Sequence, residues 1–165
     1  MKKKIISSLV CCSMLMSALP SMLNVTANAY GIEIMNFDYD DNIGFTALGA
    51  AKTELASNEG HSGKRSVLVS GRASEADGAK ISVETTGAAA AYNITLWVKS
   101  KSTCKLTAAF GGKKVNSANL IADEWTKLSG KVNIDVTDDK LDLEIYGLSG
   151  TDDFYIDDVS VLADG

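Results

Sequence analysis

Short runs of alternating apolar and polar residues recur along most of this chain, and they constrain its fold more than any other feature. Seven such runs are separated by clusters of Gly, Asn, Asp and Ser: 66–70, 80–84, 92–99, 105–110, 125–134, 141–146 and 154–161. A period of two is typical of β-strands, and no segment after residue 30 sustains a helical period. With one or two more strands between residues 32 and 55, the spacing predicts an all-β sandwich or barrel.

The parity of the residues within each run favours the sandwich. In the run 141–146, Leu141, Leu143 and Ile145 share one side of the strand, whereas Glu144 and Tyr146 share the other. Successive side chains of a strand point to opposite faces, so each sheet buries one face and leaves the other in water. This is the pattern of a two-layer antiparallel sandwich.

The first 29 residues have the features of a cleaved export signal. Three lysines at positions 2–4 precede an apolar stretch over residues 5–23, and Ala27-Asn28-Ala29 forms a small-residue cleavage site. We therefore predict a signal peptide at 1–29, a secreted, extracellular protein and a single domain at 30–165. Cys104 is the only cysteine of that domain, so no intramolecular disulfide is expected.

The charge of the chain bears on its partners. The formal net charge is −5, and the predicted signal peptide contains three lysines but no acidic residue, so the remaining domain is more acidic still. Nucleic acids and anionic membranes require basic surfaces, and both are therefore disfavoured as partners. Neutral ligands such as sugars remain compatible with this charge.

The sequence contains little that indicates catalysis. His61 is the only histidine, it lies in a polar turn, and no nucleophile-elbow, phosphate-loop or zinc-cysteine motif is present. Asp157 and Asp158 are adjacent in an apolar run, but neighbours in a regular strand point to opposite faces and cannot act together on one glycosidic bond. The chain is therefore expected not to be an enzyme.

Two acidic segments raise the question of a metal. If Asp157 faces inward with Tyr155 and Val159, its carboxylate needs a partner or a cation, and calcium is a suitable one. The alternative is a local bulge that turns Asp157 to solvent. The acidic run 38–44 is not an EF-hand loop, because Ile43 stands where that loop needs glycine. It either supplies a ligand to a differently built site or is a solvated loop.

Six short motifs occur in order between residues 34 and 162: NFD at 36–38, HSGKRSV at 61–67, SGR at 70–72, YNITLWVK at 92–99, EWTKL at 124–128 and FYIDDVSV at 154–161. Together they resemble the β-sandwich carbohydrate-binding modules of bacterial xylanases and cellulases, the CenC-like group with its xylan-binding relatives. The resemblance implies a jelly-roll sandwich of the galactose-binding-domain type. It also implies a structural calcium held by Asp38, a backbone carbonyl near Lys64, and Asp157.

The same resemblance implies sugar binding on one sheet, where aromatic rings stack on pyranose faces. Tyr146 is expected to stack on a sugar ring, Glu144 to bind hydroxyl groups and Arg72 to assist. Ala76 stands where xylan-binding relatives carry a tryptophan, and Trp97 with Trp125 falls at positions that look structural in the family.

These features together predict a monomeric, non-catalytic module that binds plant cell-wall polysaccharide of the xylan or β-glucan class. Modules of this group accompany glycoside hydrolases, so a glycosidase or a cellulosome-type complex is the expected protein partner. The alternative is a structural or adhesion sandwich that binds a protein partner and has lost sugar binding.

Overall fold

The computed structural model describes residues 31–38, 43–85, 87–135 and 138–164. The predicted signal peptide at 1–29 and residues 39–42 of the acidic run lie outside this part of the chain. No helix long and apolar enough to cross a membrane occurs among the described residues.

The described residues form eleven strands, and every strand pair is antiparallel. In chain order they are β1 Gly31–Met35, β2 Thr46–Leu48, β3 Lys52–Ser57, β4 Arg65–Ser70, β5 Gly78–Glu84, β6 Ala90–Ser100, β7 Cys104–Phe110, β8 Lys113–Leu120, β9 Thr126–Ile134, β10 Lys140–Ser149 and β11 Phe154–Ala163. All seven runs that the sequence predicts as strands are strands. β8 was not predicted, and the segment before residue 58 contains three strands instead of one or two.

The strands form two sheets. The first sheet has the order β3-β4-β11-β6-β9, and β1 also pairs with β11. The second sheet has the order β2-β5-β10-β7-β8. Strands that are distant in sequence are neighbours in both sheets, so each sheet is complete only when most of the chain has folded.

The core lies between the two sheets and is built from alternate residues of their strands. In β6 of the first sheet, Ile94, Leu96 and Val98 are buried, and in β10 of the second sheet so are Leu143 and Ile145. Burying each such aliphatic side chain stabilises the fold by about 2 kcal/mol. The intervening residues of both strands point away from the core, as the parity of the sequence predicted.

β11 changes partners halfway along its length. Residues 154–156 pair with β4, and residues 159–162 pair with β1. The change occurs at Asp157 and Asp158, where the register with β6 is also interrupted and Asp158 has a φ of 47°. This β-bulge exposes the edge of β11 to the loop 58–64, which precedes β4, and to residues 36–38, which follow β1.

Candidate functional site

The outer face of the second sheet contains the two residues predicted to bind sugar. We call it the Tyr146 face, and it comprises the outward residues of β10 with their cross-strand neighbours on β5 and β7: Gly78, Lys80, Ser82, Thr107, Ala109, Asp142, Glu144 and Tyr146. Tyr146 lies directly between Gly78 and Thr107, and Glu144 lies between Lys80 and Ala109. The half-buried ring of Tyr146 is thus flanked by one residue without a side chain and one with a small side chain.

The floor of this face is formed by small residues of β7. Thr107 and Ala109 point away from the core, yet they are only 1% and 4% exposed. Larger side chains on the flanking strands therefore rise above them, and Thr107 is further tied down by hydrogen bonding to the Ser117 hydroxyl and the Asn116 carbonyl. The short residues of β7 are therefore covered by their neighbours, and the half-buried Tyr146 ring stands beside them.

The charged groups of the Tyr146 face are arranged so that one acid is left for a ligand. Lys80 Nζ donates to Asp142 Oδ2 at 2.7 Å, and the Ser82 hydroxyl donates to Asp142 Oδ1 at 2.5 Å. The Lys80 ammonium, followed by Ser82, lowers the pKa of Asp142. Among the described residues, no hydrogen-bond donor is found for Glu144, so its carboxylate is available to hydroxyl groups.

Arg72 lies beneath the loops at the end of this face, not on it. Its side chain is 7% exposed and its guanidinium lies 5.2 Å from the centre of the Phe154 ring. Its donors bond to four backbone carbonyl groups, those of Glu75, Asp77, Gly150 and Asp152. The expectation that Arg72 assists sugar binding is therefore wrong, because its side chain instead connects the loops 71–77 and 150–153 by hydrogen bonds.

Asp77 fixes the same loop from its other end. Its Oδ2 accepts hydrogen bonds from the backbone N–H groups of Ala73 at 2.8 Å and Ser74 at 2.9 Å. These bonds, the one from Ala73 first, lower the pKa of Asp77 below its ordinary 3.8. The loop that contains Ala76 is therefore held rigidly beside Tyr146, since the N–H of Gly147 also donates to the Glu75 carbonyl at 2.8 Å.

The lowered pKa of Asp77 predicts a dependence of stability on pH. A carboxyl group with a lower pKa in the folded state contributes stability that is present above 3.8 and is lost as pH falls through the folded value. We expect Asp77→Asn to reduce the loss of melting temperature between pH 4 and pH 2.5 compared with the unmodified chain. The exposed Glu75→Gln is the matched control. Equal acid sensitivity of Asp77→Asn and the unmodified chain would contradict this prediction.

Asp157 faces neither the core nor solvent. The structure therefore differs both from an inward-facing Asp157 and from a bulge that turns Asp157 to solvent. Phe154 and Ile156 point into the core, so Tyr155 and Asp157 point to the outside of the first sheet. Asp157 is nevertheless 0% exposed, because the loop 58–64 covers it. Its inward orientation was predicted wrongly, whereas its burial was predicted correctly. Burial raises the pKa of Asp157.

Two aspartates hold the loop 58–64 through its backbone. Asp157 Oδ2 accepts hydrogen bonds from the N–H groups of His61 at 2.7 Å and Ser62 at 3.2 Å. Asp38 Oδ1 accepts from the N–H groups of Lys64 at 2.8 Å and Arg65 at 3.0 Å. The turn between them requires glycine: Gly63 has a φ of +88°, and a Cβ there would lie 1.6 Å from Asp38 Oδ2.

His61, Asp158 and Ser62 form a cluster above this turn that does not have the geometry of a hydrolytic triad. Asp158 Oδ2 lies 2.6 Å from His61 Nδ1, and the Ser62 hydroxyl donates to Asp158 Oδ1. A triad needs the imidazole between the hydroxyl and the carboxylate, but here the carboxylate lies between them. The His61 ring stacks on Trp97, with centroids 3.8 Å apart and planes 16° apart. The cluster fixes the loop on the outer face of the first sheet.

A family comparison identifies the class of protein to which this domain belongs. Residues 32–151 match the family model described as a carbohydrate binding domain, and this segment contains Glu144, Tyr146 and the whole of strands β2 to β10. The chain belongs to this carbohydrate-binding domain family. No curated protein sequence matches the chain significantly.

Solved structures confirm the fold of the domain. The first family-22 xylan-binding domain of Paenibacillus barcinonensis Xyn10C is 19% identical, with a TM-score of 0.69 over 79% of this chain and 92% of that domain. The C-terminal family-22 module of Clostridium thermocellum Xyn10B is 18% identical, with a TM-score of 0.69 over 84% and 97%. The N-terminal structure of Xyn10B that joins a family-22 module to the xylanase, complexed with xylohexaose, is 23% identical to this chain. Its TM-score is 0.66, over 82% of this chain and 29% of that one. The predicted all-β jelly-roll sandwich is thereby confirmed.

The three groups to which the resemblance assigns calcium are occupied by backbone donors in this structure. Asp38 and Asp157 accept three N–H groups of the loop 58–64 and that of Arg65 at the start of β4, and the carbonyl of Lys64 accepts the N–H of Glu59 at 3.0 Å. Each N–H group takes up one lone-pair direction of its acceptor oxygen, and a calcium ion at that oxygen would have to share it. Within the described ranges, no cluster of three or more His, Cys, Asp or Glu side chains could hold a metal. Calcium binding at Asp38, Lys64 and Asp157 stays a prediction.

A chelation experiment distinguishes a loop fastened by hydrogen bonds from one fastened by an ion. If hydrogen bonds alone hold the loop, the melting temperature will be the same in excess calcium and in EDTA. Saturating calcium at a hundred times its dissociation constant would add about 2.7 kcal/mol, or roughly 8 °C in melting temperature. A rise of that size in calcium, abolished by Asp157→Asn, would establish the ion.

Proposed function

We propose that this domain binds the backbone of a neutral, β-1,4-linked plant cell-wall polysaccharide, xylan in the first place, on the Tyr146 face. Family membership supports carbohydrate as the ligand class. Solved structures of the same fold support xylan as the first candidate, since several of them are described as xylan-binding domains. The xylan class comes from these neighbours, and the position of the site comes from the geometry of this chain.

The observation that carries the proposal is the surroundings of the Tyr146 ring. An aromatic ring offers a flat apolar surface that matches the C–H groups of a pyranose, and a half-buried ring is already ordered before binding. Its cross-strand neighbours are Gly78, which has no side chain, and Thr107, whose side chain is short. Glu144, two residues away on the same side of β10, has a carboxylate that accepts from sugar hydroxyls.

The proposal includes how and where the domain acts. It binds without catalysis, because the carboxylates of the Tyr146 face do not form a free pair: Asp142 is engaged by Lys80 and Ser82, and Glu144 has no second free acid beside it among the described residues. The N-terminal sequence supports action outside the cell, where cell-wall polysaccharides occur. The domain would then direct a glycoside hydrolase, in the same assembly, to its substrate.

The position of Ala76 predicts a gain of affinity. Ala76 is exposed in the loop 71–77, which Arg72 and Asp77 hold beside the end of the Tyr146 face. We expect Ala76→Trp to extend the aromatic surface and to tighten binding of xylohexaose by about 1 kcal/mol, roughly fivefold, in calorimetry. Ala73→Trp, at another exposed alanine of the same loop, is the matched control. Equal effects of the two substitutions would contradict a position-specific contact.

Affinity electrophoresis against soluble polysaccharides tests the proposed function. The domain is expected to be retarded in gels that contain xylan, and mannan, β-glucan and hydroxyethyl cellulose in parallel gels define the selectivity. A protein of similar size that does not bind glycans serves as the reference for mobility. No retardation by any of these polysaccharides would contradict the proposal and would favour a sandwich that binds a protein partner.

A further inference from the structure

An open groove of about 700 Å³ lies on the outer face of the first sheet, on the side of the molecule opposite the Tyr146 face. We call it the Trp97 groove, and it is lined by Ser62, Thr95, Trp97, Asp158, Ser160 and Leu162. β6 and β11 form its floor, where Thr95 and Ser160 are directly paired. The loop 58–64 forms one wall. None of the contacts of the Tyr146 face involves these residues.

The indole ring of Trp97 is held in place before any ligand arrives. One side of the ring is covered by His61, and His61 is fixed in turn by its ring nitrogen on Asp158 and by its backbone N–H on Asp157. The half-buried ring also borders the groove. A rigid aromatic side chain loses little conformational entropy on binding, so its contact surface is available at low cost.

The polar groups of the groove suit a neutral ligand with hydroxyl groups. In the described part of the chain, the hydroxyls of Thr95 and Ser160 have no hydrogen-bond partner, and Asn36 adds an exposed amide at the rim. The carboxylate of Asp158 is already engaged by His61 and Ser62. No lysine or arginine is among the described lining residues, so phosphate and nucleic acid are poorly matched.

We infer that the Trp97 groove is a second carbohydrate-binding site, in which a pyranose ring packs on Trp97 and Leu162 and its hydroxyls bond to Thr95, Ser160 and Asn36. The class of ligand rests on the proposed function, but the site does not share residues with the Tyr146 face. Because the two sites lie on the outer faces of opposite sheets, they bind separate stretches of polysaccharide. One domain therefore connects two chains or two segments of one chain.

The test uses substitutions that close the groove without removing its supporting ring. Trp97→Ala would also remove the surface on which His61 stacks, so Ser160→Arg is the informative variant, since a long side chain would fill the groove from its floor. Asn133→Arg, an exposed residue on the outer side of β9 and outside the groove, has the same change of charge and is the matched control. Thermal melting verifies that each variant is folded.

Calorimetry with xylohexaose and the NMR signal of the Trp97 indole N–H give the readout. The unmodified domain and Asn133→Arg are expected to bind two ligands, whereas Ser160→Arg and Tyr146→Ala each bind one. The Trp97 indole signal should shift in Tyr146→Ala but not in Ser160→Arg. A single ligand, lost in Tyr146→Ala and unchanged in Ser160→Arg, would overturn the second site and leave the proposed function intact. A single ligand with the opposite pattern would establish the groove and overturn the Tyr146 face.

Discussion

Replacing Asp157 by alanine is expected to lower the free energy of unfolding by about 3 kcal/mol, because partly buried N–H groups of the loop 58–64 would lose their acceptor. The carboxylate of Asp157 accepts from the backbone of His61, Ser62 and Asp158, and alanine offers none of these contacts. For a domain of this size the loss corresponds to about 10 °C in melting temperature. Differential scanning calorimetry in EDTA measures the effect without any contribution from metal.

Two further variants separate the hydrogen bonds of Asp157 from its charge. Asp157→Asn retains one acceptor oxygen and removes a buried charge, so we expect a loss of about half that size. Asp153→Ala removes an exposed acid four residues earlier and should change the stability by less than about 0.5 kcal/mol. A melting temperature of Asp157→Ala within the range of the Asp153→Ala control would show that the loop is held by other contacts.

Replacing Tyr146 by alanine is expected to weaken the binding of xylohexaose at the Tyr146 face by about 2 kcal/mol, or roughly 30-fold. The ring is the central aromatic surface of that face, and its neighbours Gly78 and Thr107 are too small to replace it. Isothermal titration calorimetry measures the loss. Because the side chain is half-buried and outside the core, the melting temperature should change little.

Conservative substitutions assign the contributions of ring, hydroxyl and carboxylate. Tyr146→Phe keeps the stacking surface and should bind within about fivefold of the unmodified domain, since a single neutral hydrogen bond contributes about 1 kcal/mol or less. Glu144→Gln keeps the shape but weakens the acceptor, and we expect an intermediate loss. If Tyr146→Ala retained the affinity of Tyr146→Phe, stacking on this ring would not be the basis of binding.

The alternation of apolar and polar residues was sufficient to predict most of the fold. Runs such as 92–99 and 141–146 become strands because one side of each is buried and the other is wet. β8, Lys113–Leu120, was missed because its sequence KKVNSANL has little alternation. It lies at the edge of the second sheet, where a strand needs few apolar residues. It is recognised as a strand only through its pairing with β7.

The orientation of Asp157 and the burial of Arg72 could not be read from the sequence. The alternation of inward and outward side chains holds only for a regular strand. The bulge at Asp158, which has a φ of 47°, reverses the alternation in the middle of β11. Arg72 has a long charged side chain that usually lies in water, and four carbonyl groups from two distant loops are needed to bury it. Both outcomes depend on segments that meet only in the folded chain.

The pairing of His61 with Trp97 was likewise hidden in the sequence, although both residues belong to motifs that carry the family resemblance. The two rings are 36 positions apart in sequence, and they meet because Asp157 and Asp158 fix the loop above β6. Trp97 therefore has a structural role on one side of its ring, as the resemblance implied. The Trp97 groove beside the same ring is formed by residues of β6, β11 and the loop 58–64, which meet only in the folded chain.

An NMR titration of the isotope-labelled domain with xylohexaose locates the bound ligand on the surface of the domain. Backbone amide signals of Gly78, Lys80, Thr107, Glu144 and Tyr146 are expected to shift together as the ligand saturates the outer face of the second sheet. Absence of shifts at these residues at millimolar xylohexaose, or shifts confined to other surfaces of the domain, would contradict binding at the Tyr146 face.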